Sequence, residues 1–214
     1  MGQNMNFSKK AVIIGAGPHS SVIAEIFLQN KEYEIVGMID NESKEPVLGI
    51  PVIGDDGSLK QIFESGVHYA FIAIGSNRLR ERLSRMAANI GFELMNAISP
   101  NAHVSEYARL GKGIAVMAGA IVNPRAILGD GVIVNTNASV DHDCRIGAYV
   151  HIAPGCSVSG STQIGAGSFL GTGSRVIDRI TIGKNVTVGA GGVVIHDLPD
   201  QCTAVGVPAK IIKQ

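Results

Sequence analysis

The chain has no tryptophan among its 214 residues, only 5% aromatic residues and only three cysteines. Its 18 basic and 18 acidic side chains cancel to a formal net charge of zero. With no basic excess and no basic cluster, the electrostatic footprint of a nucleic-acid binder is missing, and no nucleic acid is expected as a partner. No apolar run approaches the roughly 20 residues that span a bilayer, so no membrane partner is expected either. Three cysteines fit neither a disulfide framework nor a zinc-ligand spacing. That points to a reducing cytoplasm and to chemistry without a metal. The first residues lack the apolar stretch of a signal peptide, and Asn6 stands where a myristoylation signal needs Ser or Thr. Residues 1–9 therefore read as a flexible tail.

What the chain has in excess is order. Stepping in sixes from Ile98, through Val104, Leu110 and Val116 to Val188 and Val194, every one of seventeen positions is a branched aliphatic residue. A short fixed period is the mark of a solenoid. Glycine follows the aliphatic residue at Gly111, Gly129, Gly147, Gly165 and Gly183, eighteen residues apart, so three hexads make one coil. Four places after the aliphatic residue stand small, uncharged side chains such as Ala120, Ala138, Cys144 and Cys156. A triangular prism of short parallel strands, coils stacked about 4.8 Å apart, satisfies this pattern. The regular glycines are expected to supply corner backbone angles that other residues resist.

Residues 10–97 carry a different pattern. Lys10 to Gly15 reads as a buried strand, Gly15-Ala16-Gly17-Pro18-His19-Ser20 as a tight turn, and Ser21 to Asn30 as a helix with apolar Val22, Ile23, Ile26 and Phe27. Further strands are expected at Glu34 to Ile39 and Tyr69 to Ile74. A short helix over Leu59 to Glu64 would be capped by Asp55 or Asp56, and Ser76 would cap a helix over Arg78 to Ile90. Phe92 to Ile98 reads as one strand leading into the first coil. Amides at the first helix N-terminus suit a phosphate, and Asp40 at the end of the second strand suits a ribose or base. About 97 residues hold half of a dinucleotide fold, enough for one nucleotide. The expected architecture is an α/β Rossmann-like half-domain (10–97), a hexapeptide-repeat parallel β-helix (98–198) and a C-terminal tail (199–214).

On so regular a prism, ionisable groups gathered at an outer corner are informative. Asn135-Thr136-Asn137 is followed by Asp141-His142-Asp143, and the spacing from Val140 turns His142 and Asp143 outward. A carboxylate beside a histidine can hold it in one tautomer, as a general base requires. His151, just before Ile152, is also expected outside the core. Cys144 and Cys156 occupy inward positions and read as core filler rather than nucleophiles. His68, His103 and His196 have no partner cluster.

Taken together, the glycine turn, Phe71-Ile72-Ala73-Ile74-Gly75-Ser76-Asn77, the Asn135 to Cys144 stretch and the closing Gly206-Val207-Pro208-Ala209-Lys210 resemble the bacterial sugar acetyltransferases with hexapeptide repeats. That family includes the N-acetyltransferase of bacillosamine synthesis and the sialic acid O-acetyltransferases. The resemblance implies a left-handed helix, against the usual right-handed crossover, and a homotrimer with active sites between protomers. It implies acetyl-CoA as co-substrate, His142 as general base and Asp143 as the carboxylate that orients it. His151 would face the thioester, while Gly160, Thr172 and Ala190 would lie where acetyl-CoA runs. Gly15, Gly17, His19, Ser20, Asp40, Gly75, Asn77 and Asn135 would surround the sugar nucleotide. Pro18 departs from the glycine usual before that histidine and removes a backbone N–H.

The implied reaction is acetyl transfer from acetyl-CoA to the 4-amino group of a nucleotide-linked dideoxy-amino sugar, UDP-linked first and GDP-linked close behind. O-acetylation of a sialic acid is the alternative within the class. A noncatalytic nucleotide-sugar scaffold is the alternative outside it, and the Asn135 to Asp143 cluster speaks against it.

Overall fold

The structure is a computed structural model, and it describes residues 9–214. The expected tail over 1–9 lies outside the described residues apart from Lys9. The chain divides into two compact units, one built from residues up to 75 with 82–97, the other from 76–81 with 98–214. No helix among the described residues is long and apolar enough to cross a membrane.

The first unit is a five-stranded parallel sheet. Its strands are β1 (Lys10–Ile14), β2 (Glu34–Ile39), β3 (Val52–Gly54), β4 (Tyr69–Ile72) and β5 (Glu93–Leu94), in the order β3-β2-β1-β4-β5. All four pairings are parallel. β1 is a near-continuous buried run, Ala11 to Ile14, as a strand covered on both faces must be. Helix α1 (Pro18–Asn30) starts three residues earlier than the periodicity indicates, because Pro18 is preset for the first helical turn. Ile23, Ala24, Ile26 and Phe27 form its buried face, whereas Val22 is exposed. Asp55 makes the cap before α2 (Leu59–Glu64): its carboxylate accepts the Ser58 N–H while the Ser58 hydroxyl accepts the Asp55 N–H. α3 (Asn77–Ile90) follows β4, with the Ser76 carbonyl accepting the Arg80 N–H at 2.8 Å.

Two expectations change here. β3 carries no alternation over its three residues and was invisible to pattern; it pairs beside β2. The stretch Phe92 to Ile98 is two strands: Glu93–Leu94 pairs with β4, and Ala97–Ile98 leads into the prism.

In the second unit, each coil contributes three two-residue strands, and each strand pairs in parallel with the strand eighteen residues on, as in Ile121↔Ser139↔Ser157↔Arg175↔Val193. The aliphatic beat from Val116 to Val194 is buried, while Ile98, Val104 and Leu110 in the first coil are partly buried and pack against that core. Where the small inward positions carry a polar atom it is satisfied, as buried donors must be. Thr162 and Ser168 hydroxyls donate to the Ile177 and Gly183 carbonyls, and the Cys144 and Cys156 thiols to Ser159 and Gly171, each fifteen residues on.

The regular glycines have a different cause from the one expected. None of the five has positive φ. A Cβ on Gly147 would stand 2.5 Å from the Ala166 backbone nitrogen, and one on Gly129 2.7 Å from that of Ala148. The next coil passes too close for any side chain. The left-handed backbone falls elsewhere, at every sixth residue from Gly113 to Gly191, and half of those positions are not glycine: Arg125, Asn137, Asp143, Tyr149, Ser161, Arg179 and Asn185.

The expected C-terminal tail is structured. Thr203–Val205 extends one face of the prism in parallel with Thr187–Val188 and then pairs antiparallel with Lys210–Lys213. Cys202 and Ala204 are buried there, because the last coil would otherwise leave its apolar end open to water.

Candidate active site

Corners of the prism are where side chains leave the coil. One corner holds residues 123–126, 141–144 and 159–162 in successive coils. His142 stands on it, half exposed, with Nδ1 2.8 Å from Asp143 Oδ2. Its backbone N–H donates to Asp141 Oδ1, which also accepts from Asn123, so the turn that carries the ring is tied down. The imidazole lies over Gly160 of the next coil: a Cβ there would stand 2.6 Å from His142 Cε1 and 2.8 Å from Nε2.

Asp143 holds a second partner. Arg125 Nε and Nη2 reach Asp143 Oδ1 and Oδ2 at 2.6 and 2.8 Å, a bidentate pair. Both residues occupy the left-handed position of the same corner, one coil apart, so stacking brings their side chains together. The Arg125 fork, and then the His142 ring, hold the Asp143 carboxyl well below the usual carboxylate range. An ionised carboxylate is acceptor-only. In the neutral imidazole the proton in the contact therefore sits on His142 Nδ1, and the Nε2 lone pair is left to accept another. Cys144 has the opposite character: burial pushes its thiol up to about 11, which removes it as a nucleophile. Cys156 is 1% exposed, so both thiols are core filler.

The other expected site residues divide between places. Asn135 does not join His142. It stands on another corner, where its Nδ2 is 3.1 Å from His151 Nε2 and its Oδ1 accepts the Thr136 N–H. His151 is outside the aliphatic core but more covered than expected, at 8% exposure, and packs edge-on against Phe169. Gly160, Thr172 and Ala190, expected on one surface, are on two: Gly160 is under His142, whereas Thr172 and Ala190 are exposed, eighteen residues apart, on the Asn135 corner. The strands between these corners, Ser139–Val140 to Val193–Val194, form one face bordered by both.

In the first unit, Gly15 has φ 106°, and a Cβ on it would meet Ile74 at 2.7 Å, so the turn admits glycine alone there. Gly17 is the N-cap of α1 and faces open space, as does Gly75. His19 is half-buried in the first turn. Ser20 does not face a ligand: it is fully buried and its hydroxyl donates to Gly17 O at 2.7 Å. Asp40 serves the turn itself. Oδ2 accepts the Ala16 N–H at 2.7 Å, and Oδ1 accepts those of Glu42 and Ser43. Burial pushes its pKa up, but the three amides and Lys44 outweigh that and leave it below the ordinary value. Asn77 is likewise engaged: Nδ2 donates to the carbonyls of Gly167 and Ser168, within the second unit.

Two residues of consequence escaped the sequence reading. Arg80 is 1% exposed and donates to Gly131 O, Tyr149 O and Asn77 Oδ1, while burial lowers its pKa to about 10. With Asn77 it takes the carbonyls of the left-handed residues of three successive coils, Gly131, Tyr149 and Gly167, and nothing in a helical pattern signals such a clamp. Arg125 had a signal, its offset of eighteen from Asp143, which the coil period turns into a contact.

A left-handed parallel β-helix with a histidine–carboxylate pair at a corner, in a chain that also carries a parallel α/β unit, is the build of a hexapeptide-repeat acyltransferase. Residues 10–87 match the PglD N-terminal domain family, and residues 125–160 match the bacterial transferase hexapeptide (six repeats) family. Among curated proteins no similar sequence was found. Among solved structures, a perosamine N-acetyltransferase variant from Caulobacter crescentus, in complex with CoA and GDP-perosamine, is 47% identical; the match covers 97% of this chain and 98% of that one, with a TM-score of 0.94. The acetyltransferase domain of PglB from Neisseria gonorrhoeae FA1090 is 42% identical over 96% of this chain and all of that one, with a TM-score of 0.93. The same domain is also seen in complex with acetyl coenzyme A. The chain belongs to the PglD/NeuD-like family of sugar acetyltransferases and is an acetyl-CoA-dependent sugar N-acetyltransferase.

Proposed function

We propose that the chain moves acetyl from acetyl-CoA to the 4-amino group of a nucleotide-linked 4-amino-4,6-dideoxy sugar, with His142 as general base. The observation that carries this reading is the exposed His142 ring, bound at Nδ1 by an ionised Asp143 and open at Nε2. The amine nitrogen attacks the thioester carbonyl as Nε2 takes the amine proton; the C–S bond then breaks and the proton passes to the departing thiolate, giving amide and CoA. Asp143 stabilises the transient imidazolium. The Gly160 N–H has no partner among the described residues and stands beside the ring, so it is the amide we assign to the tetrahedral oxyanion.

For the nucleotide, sequence resemblance put UDP ahead of GDP. The Caulobacter relative, held with GDP-perosamine at 47% identity, supports the reverse order. Two of its complexes with CoA and GDP-perosamine carry one histidine replaced by asparagine or alanine. We assign acetyl-CoA to the column of small residues Ala118, Thr136, Pro154, Thr172 and Ala190, which presents no charged side chain to the pantetheine arm. The sugar nucleotide falls to the α/β unit. There Gly17 and His19 at the start of α1, and Gly75, are the residues nearest a ligand role, while Asp40 acts through the turn it holds. We also propose a trimer with the site completed between copies, supported by exposed Ile121 and Ile177 beside the His142 corner, and a cytoplasmic location, supported by three free thiols.

The test is thiol release from acetyl-CoA with GDP-perosamine, a UDP-linked 4-amino-4,6-dideoxy sugar and free sialic acid as acceptors. Turnover of one nucleotide amino sugar, reduced about a hundredfold or more in His142→Ala, is the expected result. An undiminished rate in that variant removes His142 as the base, and turnover of sialic acid alone removes the amino-sugar acceptor.

A further inference from the structure

Arg125, Asp143 and His142 are joined at one corner, and the reaction as written uses only the last two. Asp143 Oδ2 is shared: it lies 2.8 Å from His142 Nδ1 and 2.8 Å from Arg125 Nη2, while Oδ1 is 2.6 Å from Arg125 Nε. A carboxylate on a corner with only a histidine partner can rotate about its own side-chain bonds and release the ring. One gripped at both oxygens by a planar fork cannot do so without breaking two charge-assisted hydrogen bonds at once. The fork is itself placed by the coil, since the Arg125 backbone N–H donates to Tyr107 O and the Asp143 N–H to Pro124 O.

From this geometry we propose that Arg125 is a positioning residue for the base: it fixes the Asp143 carboxylate in the orientation that keeps the proton on His142 Nδ1 and the lone pair on Nε2. The inference rests on His142 being the base and deepens that reading. Arg125 touches neither substrate in this role.

Other charges face the same corner. Asp141 is spent on the His142 N–H and on Asn123. Arg109 and Arg145 line a cavity of about 370 Å³ with Tyr107, Arg125 and Asp143. In the coils beyond His142, Asp178 and Arg179 lie on the same corner, and the Arg179 N–H donates to Gly160 O. Among the described residues none of these reaches the Asp143 carboxylate, so they add charge but no fork. A plain surface staple between coils is the competing account of Arg125. It predicts a change in stability and none in the ring.

The experiment compares wild type, Arg125→Gln, Arg125→Lys and His142→Ala. Glutamine keeps the unbranched stem and the same backbone demand at φ 63° but is shorter and loses the charge and the fork. Two readouts are taken on folded protein: kcat and KM for acetyl-CoA with GDP-perosamine, and ¹⁵N NMR of the histidine rings, with His142→Ala assigning the signal. Expected in Arg125→Gln is a fall in kcat of about tenfold or more, with KM for acetyl-CoA within about twofold. The His142 ring should shift from the Nδ1–H form toward the Nε2–H form that free histidine prefers. Lysine, a point charge without the fork, should recover only part of both. A His142 ring still in the Nδ1–H form in Arg125→Gln overturns the proposal whatever the acceptor, because that readout needs no turnover. A rate undiminished in His142→Ala would instead bring down the base assignment, and the two failures are thereby separate.

Discussion

Gly160→Ala adds a single methyl group under the His142 ring and changes nothing else the proposed chemistry needs. The glycine does not have a left-handed φ, so alanine fits the backbone, and it keeps the N–H assigned to the oxyanion. Its Cβ would, however, stand 2.6 Å from His142 Cε1, 2.8 Å from Nε2 and 3.2 Å from Nδ1. Ordinary carbon contacts begin at about 3.5 Å, so the ring must retreat by roughly 1 Å. The same movement stretches the 2.8 Å contact of Nδ1 with Asp143 beyond hydrogen-bond range. A displacement of this size at a reacting group costs on the order of a hundredfold in rate. We expect kcat to fall by that order, measured as thiol release at saturating acetyl-CoA. Thermal unfolding should change little, since the ring is half exposed and can move into solvent. A kcat within about threefold of wild type would refute the argument that the Gly160 surface seats the base.

Stability should separate the two kinds of corner glycine. Gly147→Ala drives a Cβ into the backbone of the next coil at 2.5 Å and should cost about 2–3 kcal/mol, whereas Gly155→Asn, at φ 68° with open space around it, should be near neutral by calorimetry. Equal losses in the two variants would contradict the steric account. Asp40 should make the α/β unit acid-sensitive. Its pKa is lower in the folded chain than the ordinary 3.8, so its contribution is complete above about pH 4 and is lost as pH falls through the folded value. Asp40→Asn should therefore lower the unfolding free energy at neutral pH by about 1 kcal/mol for a partly exposed carboxylate, and converge with wild type in acid. Parallel curves at every pH would show that the charge is not what holds the turn.

Much of this protein is legible in one dimension because its second unit repeats. A period of six with a super-period of eighteen states which residues go inward and which coils stack, and a single register satisfies both. For that reason the aliphatic core, the buried Cys144 and Cys156, and an outward His142 beside Asp143 follow from counting. The strand–turn–helix opening of the α/β unit is equally plain, since a buried run, Gly15 and Pro18 each admit few backbone choices.

What counting missed is whatever depends on a neighbour not in the same hexad. The regular glycines looked like bends and are instead the places where coils touch. The left-handed positions fall on Arg125, Asn137, Asp143 and Tyr149 as readily as on glycine, because the coil hydrogen bonds impose that conformation whatever the side chain. Ser20, Asp40 and Asn77 sit in motifs that suggest a ligand, yet their polar atoms are taken by Gly17, Ala16, Glu42, Ser43, Gly167 and Ser168. Gly160, Thr172 and Ala190 seemed one surface and are on two corners of one face. The sequence by itself determined the prism, its core and the outward placement of His142 beside Asp143, because periodicity sets burial. Only the tertiary structure decided which partners hold that ring, since Arg125 and the Gly160 surface approach His142 and Asp143 from the coils before and after them, through stacking at a spacing of about 4.8 Å.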